Sequence, residues 1–240
     1  MWADLRAAFS FLTILPLGYV EGRKPGWSLT WYPVVGAGIG VLLTAVSSVS
    51  PFSHEATAFL VLLMWVIVTG GLHLDGFADS CDGLLATVEP ARRLEIMKDP
   101  RTGSWAVIGL ILLLLGKWTF IAGLPVPLLL LPPIVGRWVM VIAVYVFPYA
   151  RSSGLGNFFR QGLGRKQVLA ATFINLGLLV FTSQFVPVVI ALLIAIFSVW
   201  IIGQWALRRL GGGITGDVYG GLCESTELLC LIGLSLWIHI

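Results

Sequence analysis

The dominant feature of this 240-residue sequence is a series of apolar stretches, each long enough to cross a lipid bilayer as a helix. Such a helix needs about 20 mostly apolar residues, because the hydrocarbon layer is about 30 Å thick. Hydrophobic residues make up 58% of the chain and charged residues only 11%, which excludes an ordinary soluble protein. The predicted spans cover residues 31–51, 55–73, 104–123, 126–147, 168–186, 187–207 and 221–239.

The fold predicted from these spans is all-α: a polytopic integral membrane helix bundle with about seven transmembrane helices. No stretch is left over for a soluble domain, so residues 1–240 are expected to form a single membrane-embedded domain. Residues 7–17 are apolar but too short to span and are interrupted by Pro16, so we expect an interfacial helix there. Four prolines between residues 125 and 133 leave open a broken or re-entrant segment.

The distribution of Lys and Arg predicts which side of the bundle faces the cytoplasm. With these spans, every strongly basic loop falls on one side of the membrane. The opposite connections, at residues 51–55, 123–127 and 184–187, contain neither Lys nor Arg. Basic loops are retained on the cytoplasmic side during insertion. The acidic clusters described next begin on the same side, so we expect an active site that faces the cytoplasm.

The overall charge and the cysteines exclude some classes of partner. A formal net charge of +3 is too small to predict nucleic-acid binding. The three cysteines form no CxxC motif, so neither a redox pair nor a metal ribbon is expected. Membrane lipid is the expected surrounding partner, and the sequence leaves a homo-oligomeric state open.

The most informative segment is residues 70–84, GGLHLDGFADSCDGL, where a wholly apolar span ends in three aspartates. Asp75, Asp79 and Asp82 are spaced i, i+4 and i+7, so on a helix their carboxylates share one face. Three like charges within two turns repel unless a cation lies among them. Mg²⁺ prefers carboxylate oxygens and keeps waters and substrate phosphates as its other ligands. His73 is a candidate substrate-binding residue in the same segment.

A second acidic cluster enters the last predicted span. In residues 211–227, GGGITGDVYGGLCESTE, the acids Asp217, Glu224 and Glu227 lie near one helical face after a run of glycines. Carboxylates in or beside a membrane helix are costly and usually mark a metal, proton or substrate site. We therefore expect Asp217 to complete the metal site, and Glu224 to contribute to substrate binding.

Several charged residues are candidates for binding phosphate. Lys98, Asp99 and Arg101 lie just before a span, where a helix N-terminus and cations suit phosphate oxygens. Arg137 lies near the middle of its span, which is costly unless it faces a cavity or pairs with an acid. Arg151 begins a basic loop that contains glycines. A contact with an anionic substrate and a role in fixing the orientation of the chain in the membrane explain this loop equally well. Lys117 is expected to extend towards the outer membrane surface.

An ordered set of motifs resembles the cobalamin synthase family, that is, the adenosylcobinamide-GDP ribazoletransferases. The resemblance covers nearly the whole chain. It rests on TILP, YPVVGAGIG, GGLHLDGFADSCDGL, IMKDPRTGSWAVIGL, ARSSGLG and GGITGDVYGGLCESTEL, which occur here in the order found in the family. Phe77, Cys81 and Pro100 depart from the residue types expected in many members, and these departures are minor.

The resemblance implies an enzyme, a transferase of a substituted phosphate group, in cobamide (vitamin B12) biosynthesis. It implies that adenosylcobinamide-GDP is joined to α-ribazole or α-ribazole 5′-phosphate with release of GMP, that Mg²⁺ is the cofactor, and that the protein lies in a bacterial inner membrane. Displacing GMP from a diphosphate requires charge neutralisation and an aligned hydroxyl nucleophile. The four aspartates are therefore the expected catalytic and metal-binding residues. Asp82, Asp217 and His73 remain alternative general bases.

Two other functions compete with this interpretation. CDP-alcohol phosphotransferases acting on lipids carry D-x-x-D-G-x-x-A-R, and Asp79, Asp82, Gly83 and Ala86 match its first half, but Thr87 replaces the arginine and the later spacing fails. A secondary transporter would place its acids at the bilayer midplane and often shows an internal repeat. Here most acids gather at one face, and no repeat is found.

Overall fold

The computed structural model describes residues 1–18, 22–152, 154–182 and 185–239. No β-strand occurs in these ranges, and a single isolated bridge pairs Tyr149 with Ile214. The helices are α1 (Trp2–Leu12), α2 (Tyr32–Val49), α3 (His54–Thr69), α4 (Leu72–Leu85), α5 (Pro90–Ile96), α6 (Ser104–Ala122), α7 (Leu131–Val146), α8 (Leu155–Arg160), α9 (Arg165–Thr182), α10 (Phe185–Ser198), α11 (Gln204–Arg209) and α12 (Gly216–Ile238). The all-α prediction is confirmed.

Five helical segments of the described chain are long and apolar enough to cross a membrane, so the multi-pass prediction is confirmed. These segments are Pro25–Val49, Ser104–Ala122, Val126–Val146, Phe185–Arg209 and Gly216–Ile238. The count is six if α3 and α4 together form one bent span. The predicted span at 168–186 corresponds to α9, which is not among them, so the count of seven is not confirmed. This helix begins with Arg165, Lys166 and Gln167, and these residues lower its mean hydropathy. Residues 183–184 of the predicted connection lie outside the described residues.

The chain breaks at a different place from the one that the prolines suggested. Residues 126–146 form one continuous candidate span. Their prolines lie in a 3₁₀ turn or in the first turn of α7, where a missing N–H costs little. The sharp bend, of 91°, lies between α3 and α4. Gly70 and Gly71 adopt φ angles of 60° and 67°, which favour glycine. The predicted straight span at 55–73 is thus corrected: the aspartates lie on a separate helix.

The N-terminal helix is shifted relative to the prediction for residues 7–17. Helix α1 ends at Leu12, before Pro16, and begins at Trp2. Its Asp4 is buried and accepts a hydrogen bond of 3.0 Å from Arg23 Nε. This ion pair joins α1 to the segment that leads into α2.

Helices α7 and α12 form the centre of the bundle. In the span Val126–Val146 78% of the most apolar stretch is buried inside the protein, against 22% in Ser104–Ala122, which therefore offers most of its surface to lipid. Helix α2 packs closely on α7 at Gly36, where a Cβ would lie only 2.4 Å from the carbonyl oxygen of Pro133. Helix α12 packs against α4, α6, α7 and α10. Residues on α12 are consequently held from several sides.

Polar loops meet at one end of the bundle, around the C-terminal end of α4. Arg93 donates to the carbonyls of Gly83 and Leu84, and Arg209 donates to those of Leu84 and Ala86. The Tyr149–Ile214 bridge ties the loop after α7 to the loop before α12. The Arg209 contacts bring together segments that are 123 and 125 residues apart, and these contacts together frame the site described next.

Candidate active site

Helix α4, which carries Asp75, Asp79 and Asp82, crosses the N-terminal half of α12 at close range. A Cβ at Gly76 would lie 2.9 Å from the carbonyl oxygen of Asp217, and one at Gly220 would lie 3.3 Å from Cα of His73. Small residues allow helix backbones to approach in this way. The crossing therefore places Asp217 beside the aspartates of α4, although 135 residues separate Asp217 from Asp82.

Around this crossing the structure collects an excess of negative charge. Asp79 is half-buried and interacts electrostatically with Asp75, Asp82 and Asp217. The nearest cation is Arg151, whose Nη1 lies 3.2 Å from Oδ2 of Asp217. Neither Asp75 nor Asp79 forms an ion pair within the described residues. One cation thus faces four acids, which makes this surface suited to a divalent cation.

Asp217 is oriented by its position in the first turn of α12. The Thr215 hydroxyl accepts from the backbone N–H of Val218 at 3.4 Å, as an N-terminal cap does, and donates to Oδ2 of Asp217 at 3.1 Å. Arg151 contacts the same oxygen and also donates to the carbonyl of Met97 at 3.4 Å. Arg151 therefore connects the acidic cluster to the loop that precedes α6.

Asp82 has a structural contact that the sequence did not reveal. Its two carboxylate oxygens accept hydrogen bonds from the backbone N–H groups of Gly103, at 2.7 Å, and Ala106, at 2.9 Å. Asp82 thus satisfies the N-terminus of α6, where a negative charge is favoured by the helix dipole. Gly103 leaves room for this contact, since a Cβ there would lie 2.5 Å from Oδ1 of Asp82.

The four aspartates do not surround a single point. Within the part of the chain that the structure describes, no three Asp, Glu, His or Cys side chains lie close enough together to hold one metal ion. Mg²⁺ sites commonly use only one or two carboxylates, with waters and phosphate oxygens as the other ligands. The arrangement is compatible with such a site and differs from a preformed four-carboxylate cage.

Deeper in the bundle, four ionisable residues form a buried charge network. Lys117 Nζ lies 2.6 Å from Glu224 Oε2 and also contacts Glu227, while Arg137 Nη1 contacts Glu227 Oε1. All four side chains are at most 4% exposed. Lys117 also lies over the Trp65 ring, with Nζ 4.3 Å from the centroid.

This buried charge network changes the interpretation of three predicted residues. Lys117 was expected to reach the outer membrane surface, but it is 2% exposed and points into the bundle. Arg137 and Glu224, expected at the substrate, are occupied by ion pairs inside the protein. The sequence could not pair them, because their partners lie about 90–110 residues away along the chain. Glu227 was noted as an acid on the last span but was not predicted as a site residue.

The phosphate-binding prediction for the loop before α6 concerns residues near the surface. Arg101 donates to both carboxylate oxygens of Asp99, at 2.9 and 2.6 Å, and is itself exposed. These hydrogen bonds from Arg101 lower the pKa of Asp99 below its usual range, so Asp99 stays ionised. Lys98 is exposed on the same loop, and the structure places this loop next to Arg151.

A cavity of about 300 Å³ opens beside the acidic cluster. Asp75, Arg151 and Asp217 line it together with His73 and many apolar side chains. His73 is only 3% exposed, and both of its ring nitrogens lack a hydrogen-bond partner among the described residues. Sequence reasoning did not predict the aromatic residues of the cavity as site residues, because aromatic side chains are frequent in membrane helices and the motifs that contain Tyr32 and Tyr219 do not show which rings meet in space. They are Phe11, Tyr32, Tyr149, Phe159 and Tyr219.

Comparison with known proteins places the chain in a family. The profile described as Cobalamin-5-phosphate synthase matches residues 4–235. The chain belongs to the cobalamin-5-phosphate synthase family. A member of this family from Pseudomonas savastanoi pv. phaseolicola, named adenosylcobinamide-GDP ribazoletransferase, is 42% identical, with 95% of this chain and 97% of the relative covered.

Two further members of the cobalamin-5-phosphate synthase family carry the same name. The Desulfitobacterium hafniense protein is 38% identical, with 94% of each chain covered. The Synechococcus sp. protein is 35% identical, with 98% of this chain and 97% of the relative covered. No solved structure matches the chain. The matches cover both acidic segments, so the site lies inside the shared region, and the predicted resemblance is confirmed.

Proposed function

We propose that this chain catalyses the transfer named for its relatives: adenosylcobinamide-GDP is joined to α-ribazole or α-ribazole 5′-phosphate, and GMP is released. The family match over residues 4–235 is the main support. The observation on the molecule itself that carries the proposal is the joining of the two acidic segments, at the crossing of α4 and α12. Phosphoryl transfer needs such a concentration of charged groups, because the diphosphate is itself anionic.

The proposed reaction forms one P–O bond and breaks another. A ribose hydroxyl oxygen of the ribazole attacks the phosphorus atom attached to cobinamide. The bond from that phosphorus to the oxygen bridging the two phosphates breaks, and GMP leaves with the bridging oxygen. The hydroxyl proton passes to a carboxylate of the site and then to water.

We assign each residue a role in this reaction from its exposure and its contacts in the structure. Asp75 and Asp79 are the residues that would hold Mg²⁺, because the first is exposed, the second is half-buried, and neither is neutralised by an ion pair in the described structure. When bound, Mg²⁺ supplies neutralisation of the diphosphate charge. Arg151 contacts a phosphate oxygen from the cavity wall. Lys98 and Arg101, on the exposed loop before α6, add further positive charge at the surface.

Asp217 is the proposed general base. Of the three candidates, Asp82 already accepts backbone hydrogen bonds on both oxygens, and His73 is buried away from the acids' exposed side. Asp217 lines the cavity and is oriented by Thr215 and Arg151. Hydrogen bonds of this kind fix the direction in which a carboxylate accepts a proton.

The experiment that tests the proposed reaction is GMP release by the purified protein in liposomes. Adenosylcobinamide-GDP is supplied with and without α-ribazole phosphate and with and without Mg²⁺, beside Asp79→Asn and the matched surface control Glu95→Gln. We expect release that requires both substrates, the metal and Asp79, and that is unaffected in Glu95→Gln. Absence of both GMP and cobamide product from folded wild-type protein would refute the proposal.

We propose in addition that the acidic end of the bundle faces the cytoplasm of a bacterial inner membrane. Support comes from the basic residues at this end, among them Arg93, Lys98 and Arg209. Single cysteines at Lys98 and at Glu55, which lies at the other end of the bundle, would be labelled by an impermeant maleimide in inside-out and right-side-out vesicles. We expect the Lys98 position to react only in inside-out vesicles, and the Glu55 position to react only in right-side-out ones.

A further inference from the structure

The cavity beside the acidic cluster has two chemically different sides. Asp75, two residues after His73 on the same helix, is exposed and marks the open side. His73 is buried and lies among apolar and aromatic side chains on the closed side. The charged side suits a phosphate or a ribose, whereas the closed side suits an uncharged ring.

Aromatic side chains shape the closed side of the cavity. The rings of Tyr149 and Tyr219 are stacked with centroids 6.5 Å apart, and those of Phe11 and Phe159 are 4.4 Å apart. Met140 and Val144 of α7 add aliphatic contacts. Aromatic faces of this kind favour stacking with another planar ring system. The lining thus favours a flat heteroaromatic group.

The polar requirement of the closed side comes from His73 and from the hydroxyl of Tyr219. Both ring nitrogens of His73 and the Tyr219 hydroxyl are buried and have no hydrogen-bond partner in the described part of the chain. Buried polar groups without partners are rare in folded proteins, since each costs the free energy of a lost hydrogen bond. A neutral imidazole presents one N–H donor and one acceptor nitrogen, so one acceptor atom on a bound ring would satisfy the donor.

The size of the cavity selects among the aromatic groups of the two substrates. A volume of about 300 Å³ lies at the small end of the roughly 300–1,000 Å³ found for small-molecule pockets. A corrin macrocycle with its side chains is several times larger than a bicyclic base and does not fit. Guanine presents several donors and acceptors along its edge, more than His73 and the Tyr219 hydroxyl together can pair. A benzimidazole base attached to ribose has one free ring nitrogen, which is an acceptor.

We propose that this cavity binds the benzimidazole base of the ribazole substrate. The base stacks between the aromatic side chains, and its free ring nitrogen accepts a hydrogen bond from His73. Its ribose extends to the open side, towards Asp217 and Arg151. This subsite assignment rests on the proposed function, and it makes His73 a substrate-binding residue rather than the general base.

The first test fills the cavity from α7. Val144→Phe adds a ring inside the cavity, and Val146→Phe places the same substitution on the same helix at a position that is 50% exposed. Binding of α-ribazole phosphate and of adenosylcobinamide-GDP is measured separately by equilibrium dialysis in detergent. We expect Val144→Phe to weaken α-ribazole phosphate binding at least tenfold with little change for the other substrate, and Val146→Phe to change neither.

The second test measures the hydrogen bond itself. Wild type should bind the benzimidazole riboside phosphate about tenfold more tightly than its indole analogue, which lacks the free ring nitrogen. His73→Phe, which keeps a ring of similar size, should bind both equally, and His73→Gln should restore part of the preference. A preference unchanged in His73→Phe would overturn the assignment of His73.

A third test uses the wild-type protein and so does not depend on the folding of any variant. An azidobenzimidazole riboside phosphate is photolysed on the protein, and the labelled peptides are identified by mass spectrometry. Labels on the segments that line the cavity, near Phe11 and Tyr32 or within residues 72–76, 140–160 and 216–220, support the cavity, and labels confined to other regions overturn it. Wild-type GMP release, measured in the same preparation, distinguishes the two proposals. Turnover with labels elsewhere rejects only the subsite, whereas absence of turnover with both substrates rejects the function.

Discussion

Two groups of acids on the same helix, α12, differ in what surrounds them. Asp217, in the first turn, lies with three other aspartates and one cation beside an open cavity, which Asp217 and Asp75 line. Glu224 and Glu227, two to three turns further along, are buried and matched one for one by Lys117 and Arg137. A balanced buried group stabilises or orients the bundle, whereas an unbalanced and partly exposed group is available to a cation. Local charge balance therefore distinguishes the two groups, although both looked alike as acids entering a span.

The largest effect is expected from breaking the balanced group. Glu227→Gln removes the acid that contacts both Lys117 and Arg137 and leaves uncompensated charge inside the protein. Removing one partner of a buried ion pair costs about 3–5 kcal/mol. We expect a marked fall in thermal stability in detergent and a lower yield of folded protein. The exposed Glu95→Gln, which breaks an ion pair with Arg92, serves as control and should melt like wild type.

A double variant sharpens this prediction. Arg137→Gln combined with Glu227→Gln removes one charge of each sign, so it should be more stable than Glu227→Gln alone. Equal stability of the single and double variants would contradict the view that the unpaired arginine causes the loss.

Removing a charge from the unbalanced group of aspartates should lower activity and leave stability intact. Asp79→Asn lowers the negative charge near Asp75 and Asp217, so we expect unchanged or slightly raised thermal stability. Loss of a group that stabilises the transition state typically costs about 10²–10³ in turnover. GMP release should fall by this factor at saturating Mg²⁺. An Asp79→Asn protein that turns over normally would remove Asp79 from the metal site.

Asp82 shares a property with each group. It belongs to the acidic helix α4, but its carboxylate is already bound, to the N-terminus of α6. Loss of a capping side chain costs about 0.5–2 kcal/mol, so Asp82→Ala should lower thermal stability by about that amount. Turnover should fall less than in Asp79→Asn. If Asp82→Ala lost turnover as fully as Asp79→Asn while keeping its stability, a direct metal-binding role would replace the capping role.

The smallest effect is expected at the exposed loop before α6. Arg101→Gln removes a cation whose side chain is 87% exposed, and its thermal stability should match wild type. If Arg101 contributes to binding the diphosphate from the surface, the KM for adenosylcobinamide-GDP should rise by at most about fivefold. Steady-state kinetics with each substrate varied in turn provides the measurement, and an unchanged KM for α-ribazole phosphate is the internal control.

The fold was predictable from the sequence in its class but not in its details. Apolar runs of about 20 residues indicated the spans, and the i, i+4, i+7 spacing of Asp75, Asp79 and Asp82 was correctly placed on one helix. The 91° bend before that helix was not predicted. Consecutive glycines permit a left-handed turn without requiring one, and only the packing of α4 on α12 selects it.

The candidate site was predictable to the extent that its members lie in recognisable acidic segments. Asp217 was linked to the α4 aspartates by chemical similarity, and the structure brings it beside them. Arg137 and Glu224 were drawn to the same site by the same reasoning, and the structure places them in the buried network instead. Charge and hydropathy along one chain do not show which opposite charges meet in space.

The sequence by itself determined that the chain spans a membrane, that most of its carboxylates lie towards one end of the spans, and that its motifs are those of one enzyme family. These properties follow from local composition and from the order of short segments. The tertiary structure decided which charges are neutralised, which aspartate caps a helix, and which aromatic residues enclose His73. Those outcomes depend on contacts between helices up to about 140 residues apart, and burial and pairing are properties of such contacts rather than of any single segment.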